Sequence, residues 1–165
     1  MKKVLKNLDN KTNWKQYWSN NFERLGIFFD HLYMVKGLSK NSIASYKDDF
    51  KSLCSFVWNK DWFREATHPN KRTNYSKIDS HVNDSEIYYI EDFSADDIRE
   101  YFFELRKKDF KESTLNRRIS AFNQFFLFEV NEARIKENPM DSIERVASKR
   151  KLTDVLTEAE VEKIL

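Results

Sequence analysis

The 165-residue chain has a formal net charge of +2, two Gly and two Pro, and 14 Phe, seven Tyr and four Trp, which points to a helical, aromatic-cored protein and away from a sandwich or a disordered tail. No apolar run approaches membrane-spanning length, and Met1-Lys2-Lys3-Val4-Leu5-Lys6 lacks the apolar stretch of a signal peptide, so a cytoplasmic protein with no membrane partner is expected. Cys54 is the single cysteine, which excludes an internal disulfide, and its place on an apolar stripe reads as packing.

In chain order, residues 1–13 form a Lys- and Asn-rich flexible lead. A first helix is predicted over about 14–36 from Phe22, Leu25, Phe29, Leu32 and Tyr33, with Ile27, Phe28 and Met34 as a second stripe. This helix is therefore expected to be buried on more than one side. Gly37 supplies a left-handed stop, and Ser39 or Asn41 caps a second helix over about 40–58, with Ile43, Tyr46, Phe50, Leu53, Cys54 and Val57 on its apolar face. Periodicity then fails over 59–93, which reads as a disordered or surface loop anchored by Trp62, Phe63, Tyr88, Tyr89 and Ile90. Ser94-Ala95-Asp96-Asp97 resembles a capping box and opens a short third helix, with Ile98, Tyr101, Phe102 and Leu105 inward, ending near Lys108.

A fourth helix, over about 111–130, is the stretch around which the chain is expected to be organised. Leu115, Ile119, Phe122 and Phe126 share one face, widened by Phe125 and Phe128. The opposite side carries Ser113, Asn116, Arg117, Ser120, Asn123 and Gln124, hydrogen-bonding groups without the Glu and Lys pairs of an ordinary exposed face. Amides, hydroxyls and arginine reach base edges and phosphates; the plain polar back of a buried helix has the same appearance. Asn138-Pro139 ends the climb, and 140–146 has room for a turn or two. Residues 147–156 read as a basic linker, and Thr157-Glu158-Ala159-Glu160 as a capping box opening a helix too short to stand alone, so the chain is expected to continue into another domain.

Charge is segregated along the chain. Nine acids, Asp79, Asp84, Glu86, Glu91, Asp92, Asp96, Asp97, Glu100 and Glu104, face one base, Arg99, over 79–104. Arg106, Lys107, Lys108, Lys111, Arg117 and Arg118 face only Asp109 and Glu112, and Arg145, Lys149, Arg150 and Lys151 follow Glu144, so basic charge is collected where it could track a phosphate backbone.

Gly37-Leu38-Ser39-Lys40-Asn41-Ser42-Ile43-Ala44-Ser45-Tyr46-Lys47-Asp48-Asp49-Phe50 resembles the start of the core-binding domain of tyrosine recombinases. The run from Ser113 to Phe126, then Asn138-Pro139 and the run from Leu156 to Leu165, resembles the end of that domain and the first helix of the catalytic one, as in Xer-type or phage-integrase-type recombinases. The resemblance implies an all-α fold: a four-helix SAM-like bundle of two crossed helical hairpins over 14–146, a linker over 147–156, and the first helix of a truncated catalytic domain over 157–165. It also implies that the second and fourth helices face the major groove of duplex DNA. Carried over by position, Asn41, Ser42 and Lys47 lie on the DNA side of the second helix, Thr114, Asn116, Arg117, Ser120 and Gln124 on that of the fourth, and Lys149, Arg150 and Lys151 in the linker.

In that family a tyrosine attacks a DNA phosphodiester, assisted by Arg, Lys and His groups, all expected in the domain that begins at Thr157. No nucleophile is therefore assigned among Tyr17, Tyr33, Tyr46, Tyr75, Tyr88, Tyr89 and Tyr101. His31, His68 and His81 lack metal-ligand spacing, and no cofactor motif appears. The expectation is a non-catalytic domain that binds a double-stranded recombination site with sequence preference. It would serve Xer-like chromosome-dimer resolution, and hence chromosome partition, or mobile-element integration, with other recombinase subunits in a tetramer on DNA. The alternative is a helical protein-interaction module. A helix-turn-helix regulator is a weaker rival, since no glycine joins the third and fourth helices.

Overall fold

The computed structural model describes residues 14–74 and 89–147, and all their regular structure is helical. Five helices follow in order: α1 Trp14–Met34, α2 Lys40–Trp58, α3 Lys60–Ala66, α4 Ala95–Lys107 and α5 Glu112–Asn131, with 3-10 turns at Ile90–Asp92 and Pro139–Ser142. The four long helices are those predicted, so the predicted fourth helix is α5. The predicted lead, almost all of the predicted linker and the predicted start of a catalytic domain lie outside the described residues.

Local chemistry sets the boundaries. Gly37 has φ 67°, the left-handed conformation that closes α1. Ser39 then caps α2 by accepting the Ser42 N–H. Ser94 and Asp97 cap α4 reciprocally, as the sequence predicts. Between α4 and α5 the absence of glycine does not prevent a tight turn, because Asp109 takes the left-handed position at φ 57°. The Phe110 N–H donates to Leu105 O at 3.2 Å and the Asp109 N–H to Arg106 O at 3.0 Å, the paired bonds that close a helix end.

The core is aromatic. Phe50 of α2 meets Phe28 and Phe29 of α1 and Phe122 and Phe125 of α5, with centroids 5.0–6.1 Å apart. Packing makes α2, rather than α5, the centre of the bundle: α2 touches α1, α3, α4 and α5. Its second half is accordingly buried nearly all round, polar Asp49, Ser52 and Ser55 included. Tyr33, predicted inward, is exposed. The second stripe of α1 splits, with Phe28 in the core and Ile27 and Met34 exposed.

The predicted loop over 59–93 is corrected at both ends. Residues 60–66 are helical, a 3-10 turn forms at Ile90–Asp92, and His68 and Lys71 pair across a tight turn, while Phe63 and Ile90 are fully buried as the expected anchors. α3 is too short to show a period, and its stability is tertiary. Phe63 meets Phe56 edge-on with centroids 5.3 Å apart, Lys60 pairs with Glu100 at 2.5 Å, and the Lys108 ammonium donates to Arg64 O and, at 2.8 Å, to Thr67 O. A cation on the last carbonyls of a helix satisfies orphan acceptors and opposes the dipole.

Candidate nucleic-acid interface

The polar side of α5 divides into two stripes. Asn116 and Asn123 bind the chain that returns after the helix. The Asn116 amide donates to Val146 O at 2.8 Å and accepts the Val146 N–H at 2.9 Å. Asn123 Oδ1 accepts from Asn138 Nδ2 at 2.8 Å, and Asn138 in turn caps the turn at Pro139–Ser142. These amides clasp the segment that follows α5. Ser113, Arg117, Ser120 and Gln124, spaced at four, three and four, form the other stripe, and among the described residues the returning chain makes no hydrogen bond to them.

Two open depressions adjoin that second stripe. One, of about 450 Å³, is lined by Asn41, Ser42, Ser45 and Tyr46 of α2, Leu38, and Arg117 and Gln124 of α5. Four sequence-predicted site residues, Asn41, Ser42, Arg117 and Gln124, therefore converge from two helices onto one hollow. The other, of about 1100 Å³, lies between α2, the segment 67–74 and the start of α5, and Thr114 lines it. Ser45 and Arg117 line both, so the two form one continuous surface. Ser120 is half-buried and lines neither, while Lys47 rests over the Phe29 ring at 5.3 Å. Lys149, Arg150 and Lys151 lie outside the described residues.

The larger depression is basic for reasons that sequence spacing hides. Six cations, Lys51, Lys71, Arg72, Lys111, Arg117 and Arg118, face three acids, Asp48, Asp49 and Asp109. Lys51 pairs with Asp48 at 3.6 Å, and Asp49 takes Arg117 and Arg118. Lys71, Arg72 and Lys111, all exposed, supply the surplus. Lys71 and Arg72 belong to the predicted loop and were not among the expected site residues; the signal was a run from Thr67 to Ile78 with no acid in it.

Arg118, expected among the phosphate-facing cations, is instead buried. Its guanidinium donates to Ser52 Oγ at 3.1 Å and to the Tyr101 hydroxyl, lies 5.1 Å from the Phe110 centroid, and approaches Asp49 Oδ1 at 3.2 Å. Asp49 itself is 1% exposed. Burial pushes its carboxyl up to about 6 against the opposing pull of Arg118 and Arg117. On its outer side Asp49 Oδ1 accepts from Arg117 Nη2 at 2.8 Å. The acidic stretch is likewise not a bare acidic face: Glu91 meets Arg24, Glu100 meets Lys60, and Glu104 meets Arg64 and Lys107.

Residues 72–133, from the basic segment through α4, the Asp109 turn and α5, match the phage integrase N-terminal SAM-like domain. Over 143 residues, 87% of the chain, it is 26% identical to a tyrosine recombinase XerC of Roseiflexus castenholzii. It is 28% identical over 138 residues, 84% of the chain, to a tyrosine recombinase XerD of Oceanobacillus iheyensis. Over these stretches the chain is similar to tyrosine recombinases. A tyrosine recombinase of Thermosipho africanus is 26% identical over 144 residues, and these three matches span 38–41% of the relatives' own length. No solved structure matches the chain significantly. None of its described helices is long and apolar enough to cross a membrane.

Proposed function

We propose that this chain is the part of a site-specific recombinase that holds duplex DNA, gripping one side of a recombination half-site without itself carrying the residues that cut it. One observation carries this reading: Asn41, Ser42, Arg117 and Gln124 converge on a single hollow that runs into a basic depression. Lys71, Arg72 and Lys111 supply sequence-independent attraction to phosphates. Arg117, Gln124 and Asn41 present the forked donors and amides that pair with guanine and adenine edges in the major groove. Ser42 and Thr114 line this surface, and Ser120, Lys47, Lys149, Arg150 and Lys151 are the remaining proposed DNA contacts. Asn116 supports it by clasping Val146 beside the reading stripe.

A second role belongs to α1. Ile27, Tyr33 and Met34, with Val35 beyond the helix, are exposed apolar groups; they are suited to join a neighbouring recombinase subunit on the same DNA.

The test is fluorescence anisotropy of the chain on a labelled duplex enriched from a randomised library by this chain, beside a scrambled duplex, across a salt series. Tighter binding to the enriched duplex, weakening steeply with salt and losing its preference in Arg117→Ala, is the expected result. No salt-sensitive binding to either duplex would overturn it in favour of a protein-interaction module.

A further inference from the structure

A surface arginine that reads a base must give up much of its rotamer freedom, about 2 kcal/mol for a free side chain. Arg117 is already partly held. Its side chain is 40% exposed, and Nη2 donates at 2.8 Å to Asp49 Oδ1, whose own side chain is 1% exposed. Asp49 cannot follow Arg117 outward, because Arg118 lies at 3.2 Å behind it and is itself fixed by Ser52, the Tyr101 hydroxyl and the Phe110 ring. Of the five N–H groups on the Arg117 fork, one goes to Asp49, and the fork stands where the two depressions meet.

An acid beneath a phosphate-binding surface lowers affinity for any duplex. Its presence there is understandable if what it supplies is orientation. We infer that Asp49 is a positioning residue for DNA recognition: its buried carboxylate sets the Arg117 guanidinium toward a base edge, so that half-site preference depends on Asp49 although Asp49 touches no DNA. This rests on the DNA-binding reading above.

The test uses the whole chain with Asp49→Asn, Arg117→Ala and the double variant, each first shown to be folded by circular dichroism, on the enriched and scrambled duplexes. Asp49→Asn is expected to bind the scrambled duplex at least as tightly as the parent chain, since a negative charge is gone, while its preference for the enriched duplex drops about tenfold or more. The double variant is expected to discriminate no worse than Arg117→Ala alone, because both changes remove one oriented contact. Full preference retained in Asp49→Asn, or losses that add in the double variant, would overturn the inference. Should Asp49→Asn not fold, Arg117→Lys decides: it keeps the charge without the planar fork, and is expected to lose the preference, whereas a lysine that keeps it overturns the inference. A parent chain with no preference at all would sink the DNA-binding reading itself, a result distinct from every variant outcome.

Discussion

Arg117 and Arg118 are adjacent in sequence and share one carboxylate, yet burial gives them different energetic roles. Arg118 is 8% exposed and compensates the buried Asp49 charge. Arg118→Ala is expected to cost about 3–5 kcal/mol, the usual consequence of stranding a buried charge. Arg117→Ala, at a side chain 40% exposed, is expected to cost less than about 1 kcal/mol. Urea midpoints of the two variants check this contrast, and equal losses would refute it. Asp49 adds a pH dependence of definite sign. Its folded-state carboxyl is raised from 3.8 to about 6, so its contribution to stability is fully present below about pH 4 and is lost as pH rises through about 6. The stability of the parent chain minus that of Asp49→Asn should therefore fall by about 2 kcal/mol between pH 4 and pH 8. A flat difference, measured by urea unfolding at each pH, would contradict that cause. Glu129 is raised in the same direction, by burial opposed by Arg134.

At the scale of elements, the ends of helices hold unused stability. α5 closes with Ala133 at φ 56°. The Arg134 N–H donates to Glu129 O and the Ala133 N–H to Val130 O, both at 2.9 Å. A side chain in the left-handed region costs about 1–2 kcal/mol. Ala133→Gly should thus raise stability by about 1 kcal/mol, since the same closure is kept with the strain removed; an unchanged or lower melting temperature would refute this. The basic segment 67–74 carries a different expectation. Fixed by Lys108 on Thr67 O and by its own His68–Lys71 turn, it presents Lys71 and Arg72 to the larger depression. Replacing both with Ala should weaken binding to enriched and scrambled duplexes alike and lower the salt slope by about two. Loss confined to the enriched duplex would mean that this segment reads bases instead.

The whole molecule turns on α2. Because it touches every other helix, the residues of its second half face neighbours on all sides, and an amphipathic reading of that helix alone leaves Asp49 on a solvent side. The same centrality brings α2 and α5 side by side, so that polar groups far apart in the chain share one hollow and one basic depression. On the proposed DNA-binding reading, recognition therefore belongs to two helices and a packed segment together.

By itself the sequence determined the four long helices, the cap at Ser94, the choice of Ser39 or Asn41 to cap α2, the stop at Gly37 and the inward face of α5, because each follows from local periodicity or from bonds made within three or four residues. It also pointed to Asn41, Ser42, Arg117 and Gln124, through the scarcity of charge on one helix face and the family resemblance. Only the tertiary structure decided which polar groups stay open. Asn116 and Asn123 are taken up by a chain that returns 30 and 15 residues later, Arg118 and Asp49 are buried by α2 and α4 packing, and α3 exists because Lys108 reaches its carbonyls from 41 and 44 residues away. The physical reason is common to all three: satisfying a buried polar group requires a partner at hydrogen-bond distance, and that partner is set by how the helices pack rather than by spacing along the chain.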